Sequence, residues 1–589
     1  MAVKFRYSII WLISAVVGYG FALTSLTTDG AYHSYLFAGI DSYYHAARVL
    51  STIATGQFSE WEAQSYYPTG AWITWPWAFD YGISRLASLF TRLTGNDPVT
   101  LLVNLPPLWI AVNLGLLLGI CRALKLTHAM TAFICLGFSM LPLTQQVHMA
   151  GRLDHHFAEL TFVLATTWFL TLLGRAPNER GYAIGLGISL GLAHGVNNGM
   201  FILQIPSLIF IGILWLQGRP LSLRIASYLC ASFLVSLTLL LIFSEPFLQQ
   251  EFHYYLLSWF QLYIAFCTAM IIIYTTVVHA RTWTVTVLIL TGLTASIPLI
   301  NDLLQGWSFI AAQAFSPMET DSLFALSFEE LMLLYSPLVI AIPVSMAWLC
   351  VAATRDSRRY LAFSISATLG GLLLLAQVRF SYYGTFVLFI PTALMLQNTL
   401  QRFHQERFLW IASFMLITGL AVQGQTARSM NNLKDWTPEY LENRAVFTML
   451  HDLCMTAPGL VLAHPNQGLY LQYHTDCSIV ASNHNISPRH LAAYSLNMDY
   501  LALGAEKLPE TLHDVRYVVI QRYDGLRFNE RDEAKRLNSK GLHRDLLGDV
   551  EQLPESFDLL LEIRAERRGE IYPLTRLFRV NTVESNLAP

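Results

Sequence analysis

Long apolar runs recur from residue 8 to residue 425, and a helix needs about 20 such residues at 1.5 Å rise to cross about 30 Å of hydrocarbon. They fall near 8–26, 101–120, 126–144, 157–173, 182–197, 199–217, 225–243, 255–278, 283–300, 333–353, 360–376, 383–399 and 408–425, about thirteen spans in all. The pair around His194 to Gly199 is the tightest turn this count requires. A chain that is 54% hydrophobic and 13% charged over 589 residues is too apolar for a soluble enzyme of this size. The expected class is a polytopic α-helical membrane protein. The first run follows Lys4 and Arg6 in the manner of a signal peptide, but it is long enough to span and has no clear small-residue cleavage site, so it reads as a retained helix.

Charge sets the orientation. With the N-terminus inside, the inner connections carry Lys4, Arg6, Arg122, Lys125, Arg175, Arg180, Arg219, Arg224, Arg281, Arg355, Arg358, Arg359, Arg402 and Arg407, while Arg152 and Arg379 are exceptions on the outer side. This is the positive-inside pattern. It places the loops of about 27–100 and 301–332, the turn around residue 154 and a tail from 428 on the non-cytoplasmic face. The tail changes character, with β-like runs GLVLAHP, YLQYHT, SIVAS and VRYVVIQRY between charged helical stretches, and reads as a mixed α/β domain. The expected division is therefore 1–427, the membrane part, and 428–589. Net charge −3 and the lack of a long basic run give no reason to invoke nucleic acid. Of seven cysteines, only Cys454 and Cys477 lie in the polar tail, where a disulfide is possible.

Ionisable groups that interrupt such a chain cost roughly 2.5–3.5 kcal/mol each at a helix centre, so a cluster of them belongs at a helix mouth or in a wet cavity. The densest is HMAGRLDHHFAEL, 148–160, with Asp154, His155, His156 and Glu159; GIDSYYHAAR, 39–48, and FSPMETDSL, 315–323, are the other two. Carboxylates with imidazole suit a hard or borderline divalent cation. The alternative is that Asp154 caps the helix starting at 156 and Asp41 caps an amphipathic surface helix. Adjacent His155 and His156 would diverge on a helix, so at most one is expected in the site, with Glu159 behind it. Glu319 is either a site residue or a solvated loop acid. Arg379, between two long apolar runs, is placed to grip phosphate or to snorkel. The stretch YYPTGAWITWPWAFDYG, 66–82, reads as an interfacial aromatic belt.

At these residues the chain resembles the STT3/PglB family of oligosaccharyltransferases, GT-C glycosyltransferases with about thirteen spans and a periplasmic or lumenal tail. The order of motifs carries the resemblance: Asp41 in GIDSYYH, YYPTGAWITWP, Asp154 in GRLDHH, Glu319 in SPMET, Arg379 in QVRF. It implies a divalent metal, Mg2+ or Mn2+, held by Asp41, Asp154 and Glu319, with His156 where the family usually has a second acid. It further implies Arg379 on the phosphate of a polyprenyl-linked saccharide donor. Tyr44, His45, Arg152 and His155, in the same motifs, are candidate substrate-binding residues. The tail has no WWDYG, the family's sequon-reading signature, and offers LAHPNQGLYLQYHT, 462–475, and SNHN, 482–485, instead.

The implied activity is transfer of a glycan to a protein, glycan or lipid acceptor on the outer face of the cytoplasmic (inner) membrane. Its rivals are a GT-C enzyme using a polyprenyl-phosphate monosaccharide, a transporter or flippase, and a non-catalytic scaffold. Acids at outer helix mouths rather than at the midplane, and the lack of an internal repeat, weigh against a transporter. The orientation is testable by impermeant maleimide in intact cells. Single cysteines replacing Asn96 and Asp514 should label, and those replacing Arg281 and Arg355 should label only after the membrane is broken; the reverse pattern contradicts it.

Overall fold

The computed structural model describes residues 2–25, 28–29, 34–311, 322–401, 410–411, 413–422, 438–484, 486–511, 514–522, 538–567 and 570–581. Helix α1 is Ala2–Leu23. The first long loop is not open coil. It holds α2 (Ile40–Thr55), α3 (Trp77–Thr94) and two short antiparallel pairs, β1 (Thr28–Asp29) with β2 (Ser34–Tyr35) and β3 (Trp61–Glu62) with β4 (Ala71–Trp72). Then follow α4 (Pro98–Ala123), α5 (His128–Met140), α6 (Pro142–Val147), α7 (His156–Arg175), α8 (Arg180–Ala193), α9 (Gln204–Leu216), α10 (Leu223–Leu241), α11 (Glu245–Leu248) and α12 (Trp259–Val277). The membrane part closes with α13 (Thr282–Ala311), α14 (Phe328–Tyr335), α15 (Leu338–Arg355), α16 (Ser357–Ala376), α17 (Ser381–Gln401) and α18 (Ser413–Val422).

Among the described residues nine helices are long and apolar enough to cross a membrane: α1, α4, α7, α9 with the 3-10 turn before it, α10, α12, α13, α15 and α16. The other four expected runs also fold as helices, α5, α8, α17 and α18. The chain is a multi-pass membrane protein. The tight pair is real: Asn198, buried in the turn between α8 and α9, donates through Nδ2 to Thr74 O at 2.7 Å and Tyr255 O at 2.8 Å. Those bonds satisfy two loop carbonyls, the first of them buried.

The tail folds as α19 (Pro438–Thr456), β5 (Leu460–Leu462), α20 (Pro465–His474), β6 (Ser478–Ile479), α21 (Pro488–Ala502), α22 (Leu508–Thr511), β7 (Val515–Gln521), α23 (Gly541–Leu546), β8 (Phe557–Arg567) and β9 (Glu570–Val580). The sheet order is β6-β5-β7-β9-β8, parallel across the first three strands and antiparallel across the last three. Cys454 and Cys477 form a disulfide that ties α19 to the approach to β6. The expected boundary at 427/428 lies outside the described residues.

Two features of the tail differ from the sequence reading. YLQYHT is helical rather than extended. Pro465 sits in the first turn of α20, the His464 ring accepts from Asn466 N, and Gln467 through Leu471 are all buried, so neither a two-residue nor a 3.6-residue period shows. Strands β8 and β9 lie beyond the β-like runs recognised in the sequence, and their charges do not mark them as strands. Those charges are paired across the ladder: Glu562 stands opposite Arg576, whose Nε lies 2.6 Å from Oε2, and whose Nη1 caps Leu546 O and Gly548 O at 2.8 and 2.7 Å.

Candidate functional site

Helix α2 starts after Gly39, whose φ of +86° suits a residue without Cβ. Asp41 therefore lies inside the first turn, and no side chain caps the helix. Asp41, His45 and Arg48 follow at i, i+4 and i+7 and share one face. Beneath them Asp80, in the first turn of α3 and fully buried, accepts from His45 Nδ1 at 2.8 Å and pairs with Arg48 Nη1 at 2.7 Å. With Nδ1–H committed to Asp80, the lone pair of His45 Nε2 points inward, the arrangement by which a carboxylate orients a metal-binding imidazole. Sequence reasoning assigned His45 to substrate and gave Asp80 and Arg48 no role. The i+4, i+7 spacing was the available signal for Arg48.

The 148–155 turn is anchored on both sides. His148 is held by Thr144 O through Nδ1 at 2.8 Å and accepts at Nε2 from Asn113 Nδ2 at 2.9 Å, and the same amide donates to Phe157 O at 3.0 Å. Ala150 N donates to Ala22 O at the end of α1, Gly151 N to Val103 O, and Ala38 N to Gly151 O at 2.9 Å. Gly151 has φ +81°, and a Cβ there would stand 2.7 Å from Leu36 O. That missing side chain lets the segment leading to Asp41 lie against the turn carrying Asp154.

The turn delivers Asp154 and His155 side by side, 2.8 Å apart between Oδ1 and Nδ1, with His45 Nε2 3.4 Å from the same His155 nitrogen. On its other side His155 Nε2 is 3.6 Å from Glu159 Oε1, and His156 bridges Asp154 Oδ2 at 3.4 Å and Glu159 Oε2 at 2.9 Å. The two histidines do not diverge. His155 precedes the helix while His156 opens it, so the 100° helical rotation does not separate them, and Glu159 closes the cluster instead of lying behind it. Asp154 caps nothing; the capping position is His155, with no side-chain cap bond. Burial works against the Asp154 charge, yet the imidazoles of His156 and His155 hold its carboxyl well below the usual carboxylate range. Burial likewise opposes charging His155, and Asp154 and Glu159 overcome it, raising the imidazole to about 9.

The C-terminal domain completes the pocket. His484 Nε2 lies 2.9 Å from Asp41 Oδ1, with its ring edge-on to Tyr44 at 4.8 Å and to Trp75 at 5.7 Å. Desolvation would raise the Asp41 carboxyl, but the His484 contact leaves it lowered. Trp75 also covers His155 at 4.7 Å, Tyr66 donates or accepts at Ser482 Oγ at 2.8 Å, and Tyr43 packs on Tyr470 and Tyr473 of α20. The aromatic stretch from Tyr66 to Trp75 thus faces protein, a correction to the membrane-belt reading. HPNQG offers little to a ligand: Gln467 is buried on Gln521 and His464 is spent on the helix start. Of the two stretches the tail offers in place of WWDYG, SNHN is the one that reaches the site, through His484.

Asp41 and Asp154 differ in access: the first side chain is 41% exposed, the second 4%. Arg152, a quarter exposed, stands at the mouth 3.9 Å from Asp154 Oδ2. Tyr44 is buried beneath His484. Glu319 lies outside the described residues. Arg379 lies in a one-turn helix, Val378–Phe380, that leads into α17.

The donor chemistry fits a divalent cation. His45, Asp154 and His155 offer ligand atoms all within 4.8 Å of one another, as do His155, His156 and Glu159. Asp154 Oδ1, His155 Nε2 and Glu159 Oε1 are buried without a hydrogen bond of good geometry, which a neutral pocket would leave at a cost of about 1–3 kcal/mol each or more.

In sequence the chain matches no family model and no curated protein. Its structure is similar to that of the archaeal oligosaccharyltransferase AglB from Archaeoglobus fulgidus in complex with an inhibitory peptide and a dolichol-phosphate, with TM-score 0.72 and 14% identity over 97% of this chain and 74% of that one. The chain shares the fold of that oligosaccharyltransferase. The A. fulgidus oligosaccharyltransferase in complex with Zn and sulfate gives TM-score 0.64 at 14% identity, covering 96% of this chain and 73% of that one. Arabinofuranosyltransferase AftD from Mycobacteria gives 0.53 at 14%, covering 98% of this chain and 40% of the larger one.

The role of Gly151 can be isolated by comparison with Gly95, which has φ +74° but open space around its Cα. Gly95→Ala should cost about 1–2 kcal/mol, the left-handed backbone alone. Gly151→Ala should cost clearly more in thermal unfolding, since its Cβ meets backbone; equal losses would remove the close approach as the reason for this glycine.

Proposed function

We propose that the protein is a glycosyltransferase that moves a glycan from a polyprenyl (di)phosphate-linked donor to an acceptor on the extracytoplasmic face of the cytoplasmic (inner) membrane. One observation carries this: Asp41 and Asp154, from separate outer segments, converge on one histidine-rich pocket roofed by the C-terminal domain, on a fold shared with oligosaccharyltransferases. The disulfide in the tail belongs to an oxidising compartment and supports the outward orientation. We take residues 1–427 as the catalytic membrane domain and 428–589 as the extracytoplasmic domain.

His45, Asp154, His155, His156 and Glu159 would hold the metal, with Asp41 and Glu319 completing the set from the acceptor side. Three imidazoles favour a borderline ion such as Mn2+ or Zn2+ over Mg2+. Such an ion, when bound, neutralises phosphate charge on the departing carrier and polarises the group it contacts. Asp80 and Arg48 orient His45 from below. His484 holds Asp41 toward the mouth, where Asp41 orients the acceptor nucleophile and takes its proton. The carrier phosphate leaves with the electrons of the broken sugar–oxygen bond, gripped by Arg379 and Arg152, while the acceptor atom bonds the sugar carbon.

The acceptor is the point of departure from sequon readers. With no WWDYG and with HPNQG consumed in packing, a lipid-linked or polymeric glycan is the favoured acceptor. AftD, an arabinofuranosyltransferase, has the same fold, which keeps a monosaccharide donor as the second reading.

The test is transfer from extracted polyprenyl-linked glycan by the purified protein, with mass spectrometry of whatever is modified. EDTA, Asp41→Ala and Asp154→Ala should each abolish product in protein that remains folded. Arg379→Lys should weaken apparent donor affinity about ten- to a hundredfold, since an ammonium cannot reproduce two charge-assisted bonds of about 1.5–3 kcal/mol. A short Asn-X-Ser/Thr peptide should be a poor acceptor. Near-normal turnover of both aspartate variants would refute the site, and efficient transfer to the peptide would refute the acceptor.

A further inference from the structure

The opposite end of the membrane part holds a second polar feature that the proposed reaction does not use. A cavity of about 440 Å³ opens between α1, the α4–α5 turn and the start of α18, lined by Arg6, Tyr7, Arg122, Lys125, His128 and Trp410, among others. Its position relative to the pocket is fixed by α1, which runs from Arg6 at the cavity to Ala22, whose carbonyl receives Ala150 N beside the Asp154 turn. The two features therefore sit on opposite membrane faces.

The cavity is built rather than incidental. Lys125 holds φ +57°, outside the usual range for a residue with a Cβ, and the turn carrying it is clamped by Arg359 on Leu124 O at 2.7 Å, by Arg175 on Ala123 O, and by Gln397, which donates to Lys125 O and accepts from Thr127 N. Tyr7 donates to Leu126 O, stacks near His128 at 4.5 Å and lies under the Arg122 guanidinium at 5.5 Å. Among the described residues no carboxylate lines the cavity and none pairs with Arg6, Arg122 or Lys125. His128 Nε2 is buried there with no hydrogen-bond partner. The first turn of α5 ends in the same space and adds the partial positive charge of a helix N-terminus.

We propose that this cavity binds the headgroup of an anionic phospholipid in the leaflet opposite the glycan-transfer pocket. Three cations without a carboxylate partner among the described residues, together with a helix start, suit a phosphate diester with a second polar group. A lipid is favoured over a soluble anion by what flanks the mouth. Trp410 is half exposed, as interfacial indoles are, and α1 and α18 leave Leu12, Ile13, Val16, Phe414 and Met415 uncovered as walls for acyl chains.

The full-length protein, purified in neutral detergent and stripped of lipid, would be titrated with phosphatidylglycerol, phosphatidylcholine or inorganic phosphate, with retention read by native mass spectrometry and stability by thermal unfolding. Phosphatidylglycerol alone should be retained and should raise Tm. Arg122→Glu with Lys125→Glu should weaken retention roughly tenfold or more, while Arg224→Glu with Arg281→Glu, on the same face but outside the cavity, should leave it unchanged. Should the first pair fail to fold, Arg6→Gln with Lys125→Gln should give a smaller loss in the same direction. Equal retention of phosphatidylcholine, equal protection by phosphate, or equal loss in the control pair would overturn the proposal.

Discussion

Burying Asp154, Glu159, Asp80 and Arg48 in a membrane-spanning scaffold is what the rest of the structure must accommodate. Each charge alone would be prohibitive in a low-dielectric interior, so each is tolerable only where opposite charges and imidazoles meet it. Those partners come from α2, α3, the 148–155 turn and α7, which are separated in sequence and brought together by the fold. The pairing of Asp80 with Arg48 and His45, and of Asp154 and Glu159 with His155 and His156, sets how these elements dock. Breaking one partner would leave an unpaired buried charge, so the cluster specifies geometry even if it contributes little net stability.

Access to this cluster is graded. Its floor is closed and its open edge is formed by Asp41 and Arg152, whose side chains are the more exposed. The C-terminal domain controls that edge through one imidazole, His484, and through the packing of α20 on α2. The domain is therefore part of the site and not an appendage on it. Motion of the 482–484 loop would change both the reach of Asp41 and the room for an acceptor.

The membrane helices are legible because apolar length is a local property, and each expected run contains a helix among the described residues. The same holds for the acids: Asp41, Asp154 and their histidines stand out because ionisable groups are costly where lipid-loving residues surround them. What sequence missed depends on long-range pairing. Asp80 sits among tryptophans and aromatics that read as a membrane belt, and only the fold reveals Arg48 and His45 above it. Within SNHN, His484 is not set apart from its neighbours until β6 and its following loop dock over α2. Strands β8 and β9 were hidden because Glu562 and Arg576 cancel across a ladder, a match no single-strand pattern displays.

The central claim is that these segments form one divalent-metal site, and the most direct measurement is Mn2+ titration of the full-length protein followed by electron paramagnetic resonance. One ion per chain should bind, with a spectrum showing nitrogen ligation. Asp80→Asn should weaken its affinity about ten- to a hundredfold by loosening His45, without itself touching the ion. No stoichiometric ion, or an ion with neither nitrogen ligation nor sensitivity to Asp80, would contradict the account.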